Sequence, residues 1–332
     1  MSAPAAHFAA WRERLERGQV AVYLAALALG AVTGLARPGR MPAALIDPAI
    51  ALMLYLTFLQ VPMRALGRGL RQGRFLAALA LANFVAVPLL VAGLGLFLPA
   101  AQPQADLLRL AVLLVLLAPC IDYVVTFAHL GRADARALLA ATPLLLLAQM
   151  ALLPLFLRVG LGEAAAQWVR PGPFLRAFVW LIAVPLALAA LTQAAAARHR
   201  GADAAVQGLG LLPVPATAAV LFVVMAALLP QLGAAREAVV CVLPLYIAFA
   251  LVAPPLGWAV ARALRLPVPA GRAVAFSAGT RNSLVVLPLA LAVPGGGALL
   301  PAVVLTQTLV ELLAELVYVR VIARWGGVSA PR

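Results

Sequence analysis

Four ionisable side chains lie inside long apolar runs of the sequence. Asp122 and Arg281 carry opposite charges, whereas Glu311 and Glu315 are four positions apart and therefore share one helix face. Ionisable groups are costly in an apolar environment, and where they occur at membrane depth they usually mark a substrate, ion or proton pathway. These four residues are therefore the first candidates for chemistry.

A cysteine lies close to one of these charges. Cys120 directly follows Pro119 and precedes Asp122 by two residues. A thiol is a soft ligand, suited to transient contact with a soft metal or metalloid centre. The alternative is a structural role, because cysteine is a common small apolar residue in buried helices. We interpret the second cysteine, Cys241, as structural because its nearest polar neighbour is Glu237.

The two glutamates differ in their distance from the end of their apolar run. Glu311 is deep, and desolvation favours a neutral carboxyl group, as a proton carrier requires. Glu311 and Asp122 are therefore the proton-coupling candidates, although Glu311 also suits a neutral carboxyl hydrogen-bonded between helices. Glu315 lies within about two helical turns of Arg320 and Arg324. That spacing predicts a residue at the membrane interface.

The composition sets the class of protein that must position these residues. The chain has 332 residues, of which 65% are hydrophobic and 11% charged, with a mean hydropathy of +1.05. A soluble domain is about half apolar and about a quarter charged, so a soluble enzyme is excluded. We predict an all-α polytopic membrane protein. No glycine-rich phosphate loop, histidine metal cluster or Ser/His/Asp set appears, so we expect no enzyme activity and no cofactor.

Apolar runs bounded by charge, Pro or Gly predict ten transmembrane helices. No connection is long enough for a separate soluble domain. We expect a cytoplasmic segment at 1–18 that is not a cleaved signal peptide, a single transmembrane domain at 19–324, and a cytoplasmic tail at 325–332. The predicted spans are 19–36, 43–63, 75–98, 107–130, 135–157, 174–196, 211–232, 238–261, 272–294 and 298–319.

The basic residues support this topology. All 25 are arginine, and they account for the formal charge of +14 without implying a nucleic-acid partner. In the ten-span arrangement, seventeen fall on one side, seven on the other, and Arg281 within a span. Positive residues concentrate on the cytoplasmic side, which predicts a cell (inner) membrane protein with both termini in the cytoplasm.

Ten spans divide into five plus five, and two odd-numbered halves must be inverted relative to each other. Residues 118–125 in the fourth span correspond in position to 278–285 in the ninth; their sequence identity is poor, but helix-breaking Pro119 and Gly279 fall at equivalent places. We predict inverted repeats at about 19–158 and 174–320.

If the broken fourth and ninth spans cross near the membrane midplane, Asp122 and Arg281 meet there. The pair is then either part of a substrate site or a structural ion pair. Thr280, Asn282 and Ser283 flank Arg281 at the break and join the substrate-binding candidates.

Other polar residues in the spans are expected to be mostly interhelical hydrogen-bond partners. They are Tyr55, Gln60, Asn83, Tyr123, Thr126, Thr142, Gln149, Tyr246, Ser277, Thr306, Gln307 and Thr308.

Three local patterns carry a family resemblance. They are Ala118-Pro119-Cys120, Leu52-Met53-Leu54-Tyr55 and Leu309-Val310-Glu311. In these stretches the chain resembles the arsenite efflux permeases of the bile acid/arsenite/riboflavin transporter superfamily. The resemblance implies ten helices in two inverted halves, broken helices 4 and 9 crossing near the midplane, and a metalloid contact at Cys120.

The ninth span departs from the sodium-dependent branch of that superfamily. The places that resemble its sodium-binding Glu and Gln hold Ser277 and Arg281 here. A guanidinium group is always charged and only donates hydrogen bonds, so it repels sodium. The arsenite permeases also have an Asn-Asn pair where this chain has Arg281-Asn282. We therefore expect no sodium coupling.

The leading hypothesis is proton-coupled antiport that exports arsenite or a related trivalent metalloid. In this hypothesis Arg281 and Asp122 form an electrostatic latch, and protons and a small solute are the only partners besides the bilayer. The alternative is a transporter of a small organic anion whose carboxylate binds Arg281. A non-transporting membrane sensor or assembly factor is the third interpretation.

Overall fold

The computed structural model describes residues 3–60, 72–99, 104–121, 123–162, 172, 176, 179–198, 205–206 and 208–327. Parts of the predicted second and sixth spans and most of the predicted tail lie outside these residues. The described residues are helical almost throughout, and their only β feature is an isolated bridge between Pro119 and Arg281.

Twelve helices make up most of the described residues. Two π-helical turns also occur among the described residues, at Ala82–Ala86 and at Val179–Ala183. The helices are α1 Ala3–Ala36, α2 Ile46–Gln60, α3 Gly73–Gly95, α4 Ala105–Leu116, α5 Val124–Leu130, α6 Ala135–Leu161, α7 Val184–Ala196, α8 Pro213–Leu228, α9 Arg236–Ala263, α10 Val268–Gly279, α11 Ser283–Leu291 and α12 Leu299–Val321.

Six helical stretches among the described residues are long and apolar enough to cross a bilayer, which takes about 20 residues. Two shorter apolar helices, α7 and α8, accompany them. The predicted fourth and ninth spans each form a pair of shorter helices, α4 with α5 and α10 with α11. The chain is therefore an all-α, multi-pass membrane protein. The six are Gly18–Ala36, Ala43–Gln60, Gly73–Gly95, Ala135–Leu161, Arg236–Ala263 and Leu299–Arg324.

The first of two compact units comprises Met1–Arg64 and Gly172–Gly233. Within it α1 packs along α8, and α2 packs on α7 and α8. Tyr55 Oη lies 3.1 Å from Thr192 Oγ1, and Gln193 donates to the carbonyl of Phe58 at 3.2 Å. Apolar packing and a few polar bonds thus hold α2 against α7.

Gly30 and Gly34, one helical turn apart, allow α1 to approach the α8 backbone closely. A Cβ atom on Gly30 would lie 2.7 Å from the carbonyl oxygen of Phe222, and one on Gly34 2.8 Å from that of Ala226. Backbone atoms have little freedom to retreat, so both positions require glycine.

We expect Gly30→Ala to lower the stability of the purified protein by about 1–3 kcal/mol, because the added methyl group overpacks the α1–α8 contact. The measurement is thermal unfolding in detergent. Gly18→Ala on the same helix is the matched control, since a Cβ there meets nothing within 4 Å. A Gly30→Ala protein as stable as the wild type would contradict the packing argument.

The second unit comprises Ala65–Pro171 and Ala234–Arg332 and holds the remaining helices, α3 to α6 and α9 to α12. In this unit α9 packs along α10, and α12 packs against α4, α9 and α11. Segment 273–290, which includes the break between α10 and α11, is buried throughout. The deepest part of this unit is therefore built around an interrupted helix.

Candidate functional site

Two helix breaks in the second unit lie side by side and pair with each other. The backbone N–H of Asn282 donates to the carbonyl of Ala118 at 2.7 Å, and that of Cys120 donates to the carbonyl of Thr280 at 3.1 Å. These two bonds satisfy backbone groups that leave the helical ladder at the breaks, which is a requirement inside a membrane. We call residues 118–121 and 280–282 the crossing.

The sequence explains both breaks. Pro119 has no N–H and disfavours helical geometry at the residue before it. Gly279 is the last residue of α10, and a Cβ there would lie 2.6 Å from Pro254 Cγ. Thr280 then adopts extended backbone, with φ of −110° and ψ of 130°. Pro119 thus lies within the crossing, and Gly279 directly precedes its second segment.

Arg281 is fully buried at the crossing, and four oxygen atoms accept hydrogen bonds from its guanidinium group. Nη2 donates to Asn83 Oδ1 at 2.8 Å and to the carbonyls of Ser277 and Ala278 at 2.5 and 2.7 Å. Nη1 donates to the carbonyl of Leu116 at 3.4 Å. The C-terminal ends of α10 and α4 carry partial negative charge, so both stabilise this cation.

Two further contacts fix this group. The ring of Phe249 lies 5.6 Å from the Arg281 guanidinium carbon, within cation–π range. Asn83 sits in the π-helical turn of α3, and its amide also donates to Ser277 Oγ at 2.9 Å. Such turns are frequent at functional sites. Only Nε of Arg281 has no hydrogen-bond partner among the described residues.

Glu311 accepts three hydrogen bonds on its buried carboxyl group. Tyr123 Oη donates to Oε1 at 2.5 Å, the backbone N–H of Arg281 donates to Oε2 at 2.6 Å, and Gln307 Nε2 donates to Oε2 at 2.5 Å. An ionised carboxylate only accepts, so three donors fit this form. Glu311 thereby connects α12 to Arg281 in the crossing and to Tyr123, two residues after its first segment.

Glu315 is fully buried and hydrogen-bonded to the hydroxyl group of Thr280, so the prediction of a residue at the membrane interface is wrong. The short sequence distance between Glu315 and Arg320 does not reveal that Thr280 lies opposite Glu315. Its second oxygen, Oε2, has no hydrogen-bond partner among the described residues.

Some polar groups in and beside the crossing are buried without a partner among the described residues. Both amide atoms of Asn282 in the crossing are in this state, as is Oε1 of Gln307 on α12. Ser283 differs, because its hydroxyl accepts a hydrogen bond from Thr308 at 2.9 Å. A buried polar group without a partner is costly, which sets the amide of Asn282 apart from the other described groups of the crossing.

The structure brings most predicted site residues together and leaves one outside the described residues. Cys120 is buried in the crossing, with Pro119, Thr280 and Arg281 as its neighbours in the backbone bridge. Asp122 lies outside the described residues, so its pairing with Arg281 stays a prediction. No group of three His, Cys, Asp or Glu that could hold a metal ion occurs in the part of the chain that the structure describes.

Several residues at the site were predicted only as interhelical hydrogen-bond partners. Asn83, Tyr123, Ser277 and Gln307 contact Arg281 or Glu311 directly or through one bond. The only indication of these residues in the sequence is that each is a polar residue within an apolar run. Because Asn83 is almost 200 positions from Arg281, spacing alone could not connect them.

Comparison with known proteins identifies the family of this chain. The chain matches the model of the Sodium Bile acid symporter family over residues 47–235, more than half of its length. No curated protein matches it significantly. Members of this family are membrane transporters and not enzymes, in agreement with the apolar helices and the buried charges. The chain therefore belongs to the sodium bile acid symporter family and is a multi-pass membrane transporter of small solutes.

Proposed function

We propose that the protein is a secondary active transporter that exports arsenite, or a related trivalent metalloid, by proton-coupled antiport. The solute binds at the crossing, where the Cys120 thiol makes a transient contact with the soft metalloid centre. The observation that carries the proposal is the amide of Asn282, which is buried without a partner among the described residues, two positions from the Thr280 carbonyl that accepts a hydrogen bond from Cys120.

The chemistry of the solute fits this position. Arsenite is an uncharged trihydroxide at neutral pH, so it donates and accepts hydrogen bonds without bringing a charge into the membrane. A primary amide has two donors and an acceptor to complement such hydroxyl groups. A lone sulfur atom cannot build a tight three-thiolate site, so the carrier can release its load.

The contacts of Arg281 favour a neutral solute over an organic anion. Its two terminal nitrogens already donate to four oxygen atoms, which leaves the N–H of Nε and one N–H of Nη1 for a ligand. An incoming carboxylate would have to displace the carbonyl groups that hold the guanidinium group. The organic-anion transporter remains the second candidate, and it requires Arg281 to turn away from α10.

Proton coupling is supported by two buried carboxyl groups beside the crossing. Glu311 contacts the backbone of Arg281, and Glu315 contacts the side chain of Thr280. A proton gained or lost there changes hydrogen bonds on the segment that faces the solute. We therefore assign coupling to Glu311 and Glu315, with Asp122 and Arg281 as the latch that opens and closes the site.

The charge of Arg281 also favours sodium independence. Arg281 places a permanent positive charge among the carbonyl groups at the end of α10, where it repels an alkali cation. The proposed carrier therefore works in sodium-free solution.

We further propose ten transmembrane helices in two inverted halves, in an inner membrane with both termini in the cytoplasm. The antiparallel bridge between residues 118–120 and 280–282 supports this arrangement, because equivalent segments of inverted halves meet antiparallel at their symmetry axis.

Cys120→Ser should abolish arsenite export, because the hydroxyl group cannot supply the soft ligand. The assay is arsenite accumulation by inside-out vesicles under an imposed proton gradient in sodium-free buffer, with antimonite run in parallel. The vesicles come from a host without its own arsenite efflux. The matched control is Cys241→Ser, a half-buried thiol on α9 that should transport as the wild type does.

Two results would refute the metalloid proposal. One is a well-expressed wild-type chain that moves neither arsenite nor antimonite. The other is a Cys120→Ser protein that transports normally. In either case small organic anions become the next solutes to test, with Arg281→Lys as the diagnostic variant.

A further inference from the structure

A cavity of about 390 Å³ lies among α3, α4 and α6 in the second unit, and none of its lining residues belongs to the crossing. This volume is near the lower end of the range for small-molecule sites, about 300–1,000 Å³. Its walls are mainly apolar, with Val91, Val112, Leu113 and Phe156 among them.

One charged side chain, the half-buried Arg109 of α4, lines this otherwise apolar cavity. A single cation among apolar walls complements a ligand with one negative group and an apolar body. Two of the apolar residues that line the cavity are also strongly exposed, Leu96 by 84% and Val159 by 77%. Such a surface is directed to lipid in a membrane protein, so the ligand enters from the bilayer.

We propose that this cavity binds a straight-chain carboxylate, with its alkyl chain against the apolar walls and its carboxylate on Arg109. The volume favours one chain over a two-chain phospholipid, and the single arginine favours one negative charge. This site is separate from the proposed metalloid site and does not depend on it.

The test is equilibrium binding of tritiated decanoate to the full-length protein in phosphatidylcholine nanodiscs. Arg109→Gln should weaken binding by at least about 10-fold, since it removes a charge-assisted hydrogen bond. Decanol, which has the same chain without the charge, should compete poorly. Arg158→Gln is the matched control, because this exposed arginine at the end of α6 does not line the cavity.

The position of the ligand is tested by filling the cavity. Gly95 lines it, and a Cβ there meets nothing within 4 Å. Gly95→Leu should therefore reduce binding, whereas Gly93→Leu, at an equally open position outside the cavity, should not. Ala92→Leu is a second filling variant if Gly95→Leu does not fold.

Three outcomes would overturn the proposal. They are equal binding by wild type and Arg109→Gln, competition by decanol as strong as by decanoate, and full binding by a folded cavity-filling variant. Displacement of decanoate by phosphatidylglycerol added to the nanodisc would assign the cavity to a two-chain lipid and also overturn it.

Discussion

Arg281→Gln should destabilise the protein by about 3–5 kcal/mol, more than any other single change to a polar residue proposed for this chain. Glutamine cannot reach all four oxygen atoms that the guanidinium group satisfies, and each buried acceptor left without a donor costs about 1–3 kcal/mol. The buried carboxyl group of Glu311 also loses its cationic neighbour. Thermal unfolding of the purified protein measures this loss independently of any transported solute.

Two variants separate the buried charge from a general effect of removing arginine. Arg320→Gln removes an exposed arginine of α12 and should change stability by no more than about 0.5 kcal/mol. The double variant with Glu311→Gln should lose less stability than the sum of the two single changes, because the partners of a charge network are not independent. An Arg281→Gln protein as stable as Arg320→Gln would show that the guanidinium contacts contribute nothing.

Local physics explains which features of the second unit were predictable. Pro119 removes a backbone donor wherever it lies, so the end of α4 could be predicted from the residue type. Arg281 and Glu311 could be selected as site candidates because a charge in an apolar run is costly. The length and apolarity of the runs likewise predict that helices form there.

The partners of these residues could not be predicted, because they depend on which helices pack together. Arg281 is held by Asn83, whose helix lies far away in sequence and contains no charge in its apolar run. The predicted environment of Glu315 was wrong because a helix face can contact either lipid or another helix. Helical periodicity locates the face of a residue but not what covers it.

Glu315→Gln should leave the fold intact and remove the dependence of transport on a proton gradient. The hydroxyl group of Thr280 contacts two oxygen atoms, the carbonyl of Phe276 at 2.8 Å and the carboxyl group of Glu315. A hydroxyl group carries one proton and can fully satisfy only one of them. If Thr280 donates to Phe276, Glu315 must donate to Thr280 and is therefore protonated.

This arrangement gives a definite role to each carboxyl group. Glu311 accepts three hydrogen bonds and suits the ionised form, whereas Glu315 has an oxygen without a partner among the described residues and suits the neutral one. Charged or titratable groups nearby are Glu311 and Tyr318 on α12 and Arg281 at the crossing. Loss of the proton would turn the Thr280 hydroxyl toward Glu315 and weaken the end of α10 next to the solute.

Glutamine copies the protonated carboxyl group, since its amide donates to Thr280 in the same way. The free energy of unfolding of Glu315→Gln should therefore lie within about 1 kcal/mol of the wild-type value. Loss of a charge-assisted hydrogen bond to an ionised Glu315 would instead lower it by about 1.5–3 kcal/mol. Infrared spectroscopy should show a protonated-carboxyl band in the wild type that is absent from Glu315→Gln. Glu237→Gln, an exposed change in the first turn of α9, should keep both the band and the response to the gradient. A Glu315→Gln protein that keeps the band would place the proton on another carboxyl group, with Glu311 the nearest described candidate.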